Sequence, residues 1–308
     1  MIRHLEHKDI DKTKWDAAIA RCGNVYAYSW YLDIAHPGWE ALVEDDYQAL
    51  MPLTGGKKFG VDYLYQPYFV QQLGVFSGHP TVAKTEQFLQ AIPKKYRFAE
   101  IRLNEQNLLP EGAQGVEYHR NVLLDLNRSY DEIRARYHQN TRRNLAKAGH
   151  GQLQVVDTVV PEQVVALFRD NRGAHLEKWS DAEYRRLIRL AAAALQKGNA
   201  FLLGVTEQGP GTLLCAAIFM QSHARVTFLF SGLSRRGKEQ QAMTFLLDHA
   251  IRKFAHQPVT FDFEGSDDEN LARFYLGFGG IAARYPGYTF NRMSALGKAV
   301  LKVWKKRK

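Results

Sequence analysis

The sequence predicts an α/β (α+β) protein built as two similar units, each a mixed, mostly antiparallel sheet flanked by helices. Three observations lead there. A chain of 308 residues is long enough for two compact cores at roughly 100–200 residues per domain. Runs rich in β-branched, aromatic and aliphatic residues alternate with amphipathic helical stretches. The order of two helices, an antiparallel meander, a helix, a strand and a final strand occurs twice.

In the first half, residues 13–20 and 29–35 read as short helices, the second opening at Ser29 and closing before His36-Pro37-Gly38. EALVEDD, QALMPLT and DYLYQPYF supply the meander, 82–92 a helix ended by Pro93, and RFAEIRLN and VEYHRNVLLDL two further strands. The second half opens on one long helix, 129–148, ending at Gly149, followed by the strand QLQVVDT. Helices 161–175 and 181–196 come next, divided at Trp179-Ser180-Asp181. The strands AFLLGVTE, TLLCAAIFMQ and RVTFLFSGL, an amphipathic helix 239–255, the strand VTFDFE, the helix NLARFYLGF and the strand ARYPGYTF complete it. These elements set the domains at 1–127 and 128–308, the second ending in a basic helix.

Charge supports the boundary. Residues 1–127 hold 13 Lys+Arg against 16 Asp+Glu, net −3, and residues 128–308 hold 28 against 16, net +12. A basic second half points to a phosphate-bearing partner or to an ordinary solvated surface. Cys22 and Cys215 lie far apart with no metal-ligand spacing, so neither a disulfide framework nor a metal is expected. The polar start and the lack of a long apolar run lead to the expectation of a cytoplasmic protein with no transmembrane segment.

Four segments could carry chemistry. On helix 129–148, Arg136, Arg143 and Lys147 are spaced to share one face, with Arg142 beside them, as a stripe for phosphate or carboxylate or as a solvated face. At FLFSGLSRRGKEQQAM a strand runs through a Gly turn into a long helix, where Arg235, Arg236 and Lys238 could add charge to free helix N–H groups. In FDFEGSDDENLARFYLGFGG, alternation sends Phe261 and Phe263 to one side and Asp262 and Glu264 to the other, and Ser266, Asp267 or Asp268 caps the next helix. A carboxylate shielded by aromatic rings there would have a raised pKa and suit a general base. In the last segment, Leu296, Val300, Leu301 and Trp304 oppose Lys298, Lys302, Lys305 and Lys306, a helix suited to docking on the domain or lying on a membrane surface.

The Asn-Thr-Arg-Arg-Asn-Leu-x-Lys-Ala segment and the later Glu-Gly-Ser-Asp…Leu-Ala-Arg-Phe-Tyr-Leu-Gly-Phe-Gly-Gly segment resemble the Fem-type acyltransferases, which are tandem GNAT (N-acetyltransferase-like) proteins. The resemblance implies two GNAT-like folds and acyl or aminoacyl transfer to an amine of a cell-envelope or small-molecule acceptor by direct attack. Acyl-CoA or aminoacyl-tRNA is then the donor, with no tightly bound cofactor. It places Arg142, Arg143 and Lys147 on the helix opening the second GNAT unit, and Ser231 to Lys238 at the turn that binds coenzyme A pyrophosphate in simple GNAT enzymes. The match has two departures. The pyrophosphate pattern Gln/Arg-x-x-Gly-x-Gly/Ala reads Ser234-Arg235-Arg236-Gly237-Lys238-Glu239, and Tyr275 stands where Fem-type enzymes commonly carry a lysine. The roles expected are Glu264 as base, backbone N–H groups near Ser231 and Gly232 for the oxyanion, and Tyr275 for the leaving group. Arg142, Arg143, Lys147, Arg235, Arg236, Lys238 and Arg273 would hold phosphates, with tRNA and a peripheral membrane surface as partners. The rival expectation is a non-catalytic tandem GNAT module binding a nucleotide, RNA or a lipid-linked sugar.

Overall fold

The computed structural model describes residues 1–171, 173, 179–209 and 211–294. The expected C-terminal helix lies outside the described residues. In chain order the elements are β1 (Ile2–Leu5), α1 (Lys12–Cys22), α2 (Ser29–Ala35), β2 (Glu40–Glu44), β3 (Ala49–Leu53), β4 (Gly55–Lys58) and β5 (Val61–Tyr65). Then come β6 (Phe76–Ser77), α3 (Val82–Ala91), β7 (Tyr96–Arg102), β8 (Val116–Asp125), α4 (Tyr130–Ala135), α5 (Gln139–His150), β9 (Leu153–Val156), α6 (Pro161–Arg169) and α7 (Asp181–Gln196). The remainder is β10 (Ala200–Glu207), β11 (Leu213–Ser222), β12 (Arg225–Leu233), α8 (Arg235–Glu239), α9 (Ala242–Phe254), β13 (Thr260–Asp262), α10 (Glu269–Leu276) and β14 (Ile281–Asn291).

The chain divides into two units, Met1–His119 with the strand from Arg284, and Arg120–Ala283. The sequence boundary at 127/128 differs from this division at both ends, because strand pairing is not local. Leu123–Asp125 pairs with β13, and the last strand returns to pair antiparallel with β7 of the first unit. In the first unit, β1, β2, β3 and β6 form an antiparallel sheet, while β5 joins β4 antiparallel and β7 parallel. Leu42, Met51, Leu64, Phe88, Tyr96 and Leu103 lie in its core.

In the second unit, β8 pairs with β13, β13 runs parallel to β12, and β11, β10 and β9 follow antiparallel. The interior face is apolar at Val122, Phe219, Phe261 and Phe263, and α9 closes it with Leu246, Leu247 and Ile251, which is the 3.6-residue apolar stripe meeting a period-2 surface.

Two helices expected as continuous are broken, the first by tertiary contacts that sequence periodicity cannot register and the second by a left-handed residue. Helix 129–148 splits at Arg136-Tyr137-His138 into α4 and α5. Tyr137 is turned into the core, where its hydroxyl donates to Asp248 of α9 at 3.0 Å, and His138 N–H donates to Gly277 O at 2.9 Å. Arg136 becomes the C-cap of α4 and leaves the face shared by Arg143 and Lys147. Helix 239–255 likewise begins only at Ala242, because Gln241 takes a left-handed conformation with φ 60°.

β12 carries two features that shape the site. The register against β11 shifts between Ile218 and Phe219, so that Leu229 is an extra residue in β12, a bulge of the kind that bends a strand and raises its twist. Gly232 lies under α6, and a Cβ there would meet Val164 O and Leu167 Cβ at 2.6 Å each and Phe168 N at 2.7 Å. Gly232→Ala must push helix backbone off the sheet, and a loss of about 1–3 kcal/mol is expected, read as a lower denaturant midpoint with an unchanged m-value. A midpoint equal to the wild type would contradict this packing.

Candidate functional site

The parallel pairing of β12 with β13 covers only Arg225↔Thr260, Val226↔Phe261 and Thr227↔Asp262. Beyond it β12 continues to Leu233, while β13 ends and the chain turns through Phe263-Glu264-Gly265. The strands therefore part, and the bulge at Leu229 sits just past the last paired residue of β12.

Asp262 holds this fork. Its buried carboxylate accepts from Asn121 Nδ2 of β8 at 2.9 Å, from Arg225 Nη1 of β12 at 2.8 Å, and from the N–H of Glu264 at 3.0 Å. The last bond is an Asx-type contact two residues on, which closes a turn locally. Ser266 Oγ donates to Glu264 O at 2.9 Å, and Arg120 of β8 clamps the rest of the loop through Ser266 O, Asp267 and Glu269. The sequence reading missed Arg120, Asn121 and Arg225, whose only local mark is that they are polar residues in strands.

Glu264 takes φ 51°, a left-handed conformation that is costly for a residue with a Cβ. The turn breaks the expected alternation, so Asp262 and Glu264 do not act as a pair: the first is consumed by its three donors, and the second stands alone. Glu264 Oε1 is sealed from solvent and has no hydrogen-bond partner. Burial without a compensating charge drives its pKa well above the ordinary carboxylate range.

Tyr275 of α10 is buried and stacks on Phe263 at 5.0 Å between centroids, with the Phe228 ring of β12 edge-on at 6.2 Å. It thus spans the fork, beside the turn that carries Glu264. Ser231 and Gly232 lie on the diverging part of β12 opposite Ala217 and Ala216. Ser234 N–H donates to Leu214 O, and two-residue alternation then directs the Gly232 N–H into the β11 ladder and the Ser231 N–H to the side that β13 has left.

The cations fall into two groups. Arg142, Arg143 and Lys147 are exposed on α5, where Gln139, Asn140, Arg142 and Arg143 line an open cleft of about 860 Å³ and Arg143 donates to Asn140 Oδ1 at 2.7 Å. α5 starts against the end of α10: besides the His138–Gly277 bond, Gly277 lies against Thr141, and Gly279 lies against Arg136 with φ 77°. The two segments that carry the sequence resemblance therefore meet. Arg273 is exposed on α10. Arg235 and Arg236 are on α8, and both are paired, Arg235 with Glu239 at 3.4 Å and Arg236 with Glu207 at 2.7 Å. Lys238 is exposed beside them. The helix start is also occupied, since Ser234 Oγ accepts the Gly237 N–H at 3.0 Å. Among the described residues no group of three or more His, Cys, Asp or Glu could hold a metal ion, and no helix is long and apolar enough to cross a membrane.

The sequence pattern of the acetyltransferase (GNAT) domain matches residues 134–275, the stretch that holds α5, the fork and α10. Residues 134–275 thus carry the sequence pattern of a GNAT domain. No curated protein matches it by sequence. Among solved structures it is similar to FemX, with 12% identity, a TM-score of 0.66 and coverage of 97% of this chain and 99% of that one. It is also similar to the C-terminal domain of a candidate lysylphosphatidylglycerol synthetase from Agrobacterium fabrum (12% identity, TM-score 0.57, 95% of each chain). A third is a tandem GNAT protein from the clavulanic acid biosynthesis pathway (14% identity, TM-score 0.51, 96% and 100%). These likenesses give the fold, which is the Fem-type tandem GNAT arrangement.

The raised pKa of Glu264 has a sign. The folded chain prefers the neutral carboxyl, so its contribution is complete below the unfolded glutamate pKa of about 4.3 and is lost as the pH rises through the folded value. Glu264→Gln keeps the shape and removes the ionisation. Its melting temperature should equal that of the wild type in acid and exceed it increasingly toward alkaline pH. A constant offset across the range would show that Glu264 ionises freely in the fold.

Proposed function

We propose that the GNAT domain transfers an acyl or aminoacyl group from an activated donor to an amine of a cell-envelope or small-molecule acceptor by direct attack, with Glu264 as general base. The observation that carries this is the half-buried Glu264, whose Oε1 is sealed from solvent without a partner, on left-handed backbone at the fork. Such a group costs stability, and a module that only binds has no use for it. In the step, the amine nitrogen forms the new C–N bond while its proton passes to the Glu264 carboxylate. Negative charge gathers on the former carbonyl oxygen, where the Ser231 N–H, free of the β11 ladder, is suited to receive it. The bond from carbon to the leaving oxygen or sulfur then breaks, and Tyr275 supplies the leaving group with a proton.

Between the two donor classes, aminoacyl-tRNA fits this chain better than acyl-CoA. The turn expected to cradle a pyrophosphate has its amide capped by Ser234 and two of its cations paired to Glu207 and Glu239, whereas Arg142, Arg143, Lys147 and Arg273 form no ion pair among the described residues. Exposed cations of that kind suit an extended phosphate backbone, with binding that weakens steeply as salt rises.

The test is transfer to an amine acceptor from aminoacyl-tRNA and from acyl-CoA, measured across pH. With wild type, kcat should climb with pH through the raised Glu264 pKa. Glu264→Gln should lose the climb and about 10²–10⁴ in kcat, with little change in KM. Full activity of that variant at every pH would remove the base, and steady use of acyl-CoA with no use of tRNA would reverse the donor assignment.

A further inference from the structure

β4 and β5 of the first unit are joined by two residues only, with Lys58 opposite Val61 in register. Phe59 has φ 50° and Gly60 φ 76°, the pair of left-handed positions that a two-residue hairpin turn of the primed kind demands. Asn-Gly is the favoured sequence there. A phenylalanine in the first position is strained by its Cβ, and its ring is left out of the core, 81% exposed, with the neighbouring Lys58 ammonium over it at 5.6 Å. The side chain is thus held at a price in stability, at the most prominent point of the hairpin and flanked by exposed Lys57 and Lys58.

The same end of the sheet is basic. β5 runs parallel to β7 with Asp62 beside Tyr96, so the hairpin tip lies at the end where exposed Lys94, Lys95 and Arg97 begin β7. β14 is antiparallel to β7, with Asn291 beside Phe98, and Arg292 follows at that end. Of the acidic groups there, Glu40 is taken up by His4, Lys95 and Tyr96, and Asp62 faces Lys57 across the hairpin. In sequence, the residues after Ser294 include Lys298, Lys302, Lys305, Lys306, Arg307 and Lys308 and no acidic residue.

We propose that the β4–β5 hairpin tip is a membrane-docking element, placing the Phe59 ring among the headgroups of an anionic phospholipid bilayer while Lys57, Lys58 and the neighbouring cations face the charged surface. A single exposed aromatic ring is a weak anchor, and a single basic patch is another. Together they supply the two contributions that set interfacial binding, buried apolar area and attraction to anionic lipid, with each basic residue near the anionic surface strengthening it about fivefold. Docking belongs to the first unit and does not depend on the reaction assigned to the second.

The experiment is co-sedimentation of the full chain with phosphatidylglycerol–phosphatidylcholine vesicles and with pure phosphatidylcholine vesicles, at low and high salt. Wild type should bind the anionic vesicles, weaken with salt, and bind the neutral ones poorly. Phe59→Asn suits the turn better than the native residue, so its melting temperature should rise while its vesicle affinity falls about tenfold or more. Lys57→Glu should weaken binding to the anionic vesicles alone. Phe59→Trp should show a blue-shifted emission component on mixing with anionic vesicles. Undiminished binding by Phe59→Asn, with the basic tail intact, would overturn the proposal. So would wild type that ignores vesicles but self-associates by light scattering in a way that Phe59→Asn abolishes, which would assign the tip to a second copy of the chain.

Discussion

The site depends on one buried carboxylate. Asp262 sits at the last paired position of β13 and draws together β8 through Asn121, β12 through Arg225, and the following turn through the N–H of Glu264. A carboxylate this deeply buried is tolerated only when its lone pairs are met and a cation is close, and meeting them fixes three segments at one point. The parallel pairing stops there because the turn that satisfies Asp262 leads the chain away from β12. The groups proposed for the chemistry lie just past that point: the freed edge of β12 at Ser231, the Glu264 carboxyl, and the Tyr275 ring stacked on Phe263.

A second buried carboxylate, Asp248 on α9, does similar work for the cationic elements. It accepts from Tyr130 at 2.8 and 2.9 Å and from Tyr137 at 3.0 Å, with the Arg252 guanidinium over the Tyr130 ring at 4.3 Å. Burial and the neighbouring carboxylate push the hydroxyls of Tyr130 and Tyr137 above the ordinary tyrosine range, so both stay protonated donors. Turning Tyr137 inward breaks the helix and sets a new start for α5, whose first turn meets the end of α10 at His138 and Thr141, just before the exposed Arg142 and Arg143. The two buried acids thus orient the two sides of the site by the same means, hydrogen bonds to groups far away in sequence.

That separation explains what could be read from the sequence. The strands of the second unit, the amphipathic face of α9 and the Phe261/Phe263 pair follow from period-2 and period-3.6 patterns that are local. Glu264 was legible as a carboxylate at a strand end among aromatic residues. Its isolation was not, because alternation places it beside Asp262, and only Asn121, 141 positions away, and Arg225, 37 positions away, draw Asp262 off. The break at Tyr137 rests on a contact 111 positions distant. The pairing of Arg236 with Glu207 across 29 positions was equally hidden, so that turn read as an open phosphate cradle. Short polar strands such as β1, IRHL, and β4, GGKK, gave no alternation to detect.

The central claim is that the fork keeps one glutamate neutral and unpartnered until it is needed as a base. The direct measurement is the ionisation of that carboxyl, followed by carbon-13 NMR of protein labelled at its glutamate side chains and assigned by comparison with Glu264→Gln. The account predicts a resonance, absent from the variant, that titrates well above the ordinary glutamate range, as burial without a partner requires. A Glu264 carboxyl that titrates with the exposed glutamates would contradict it.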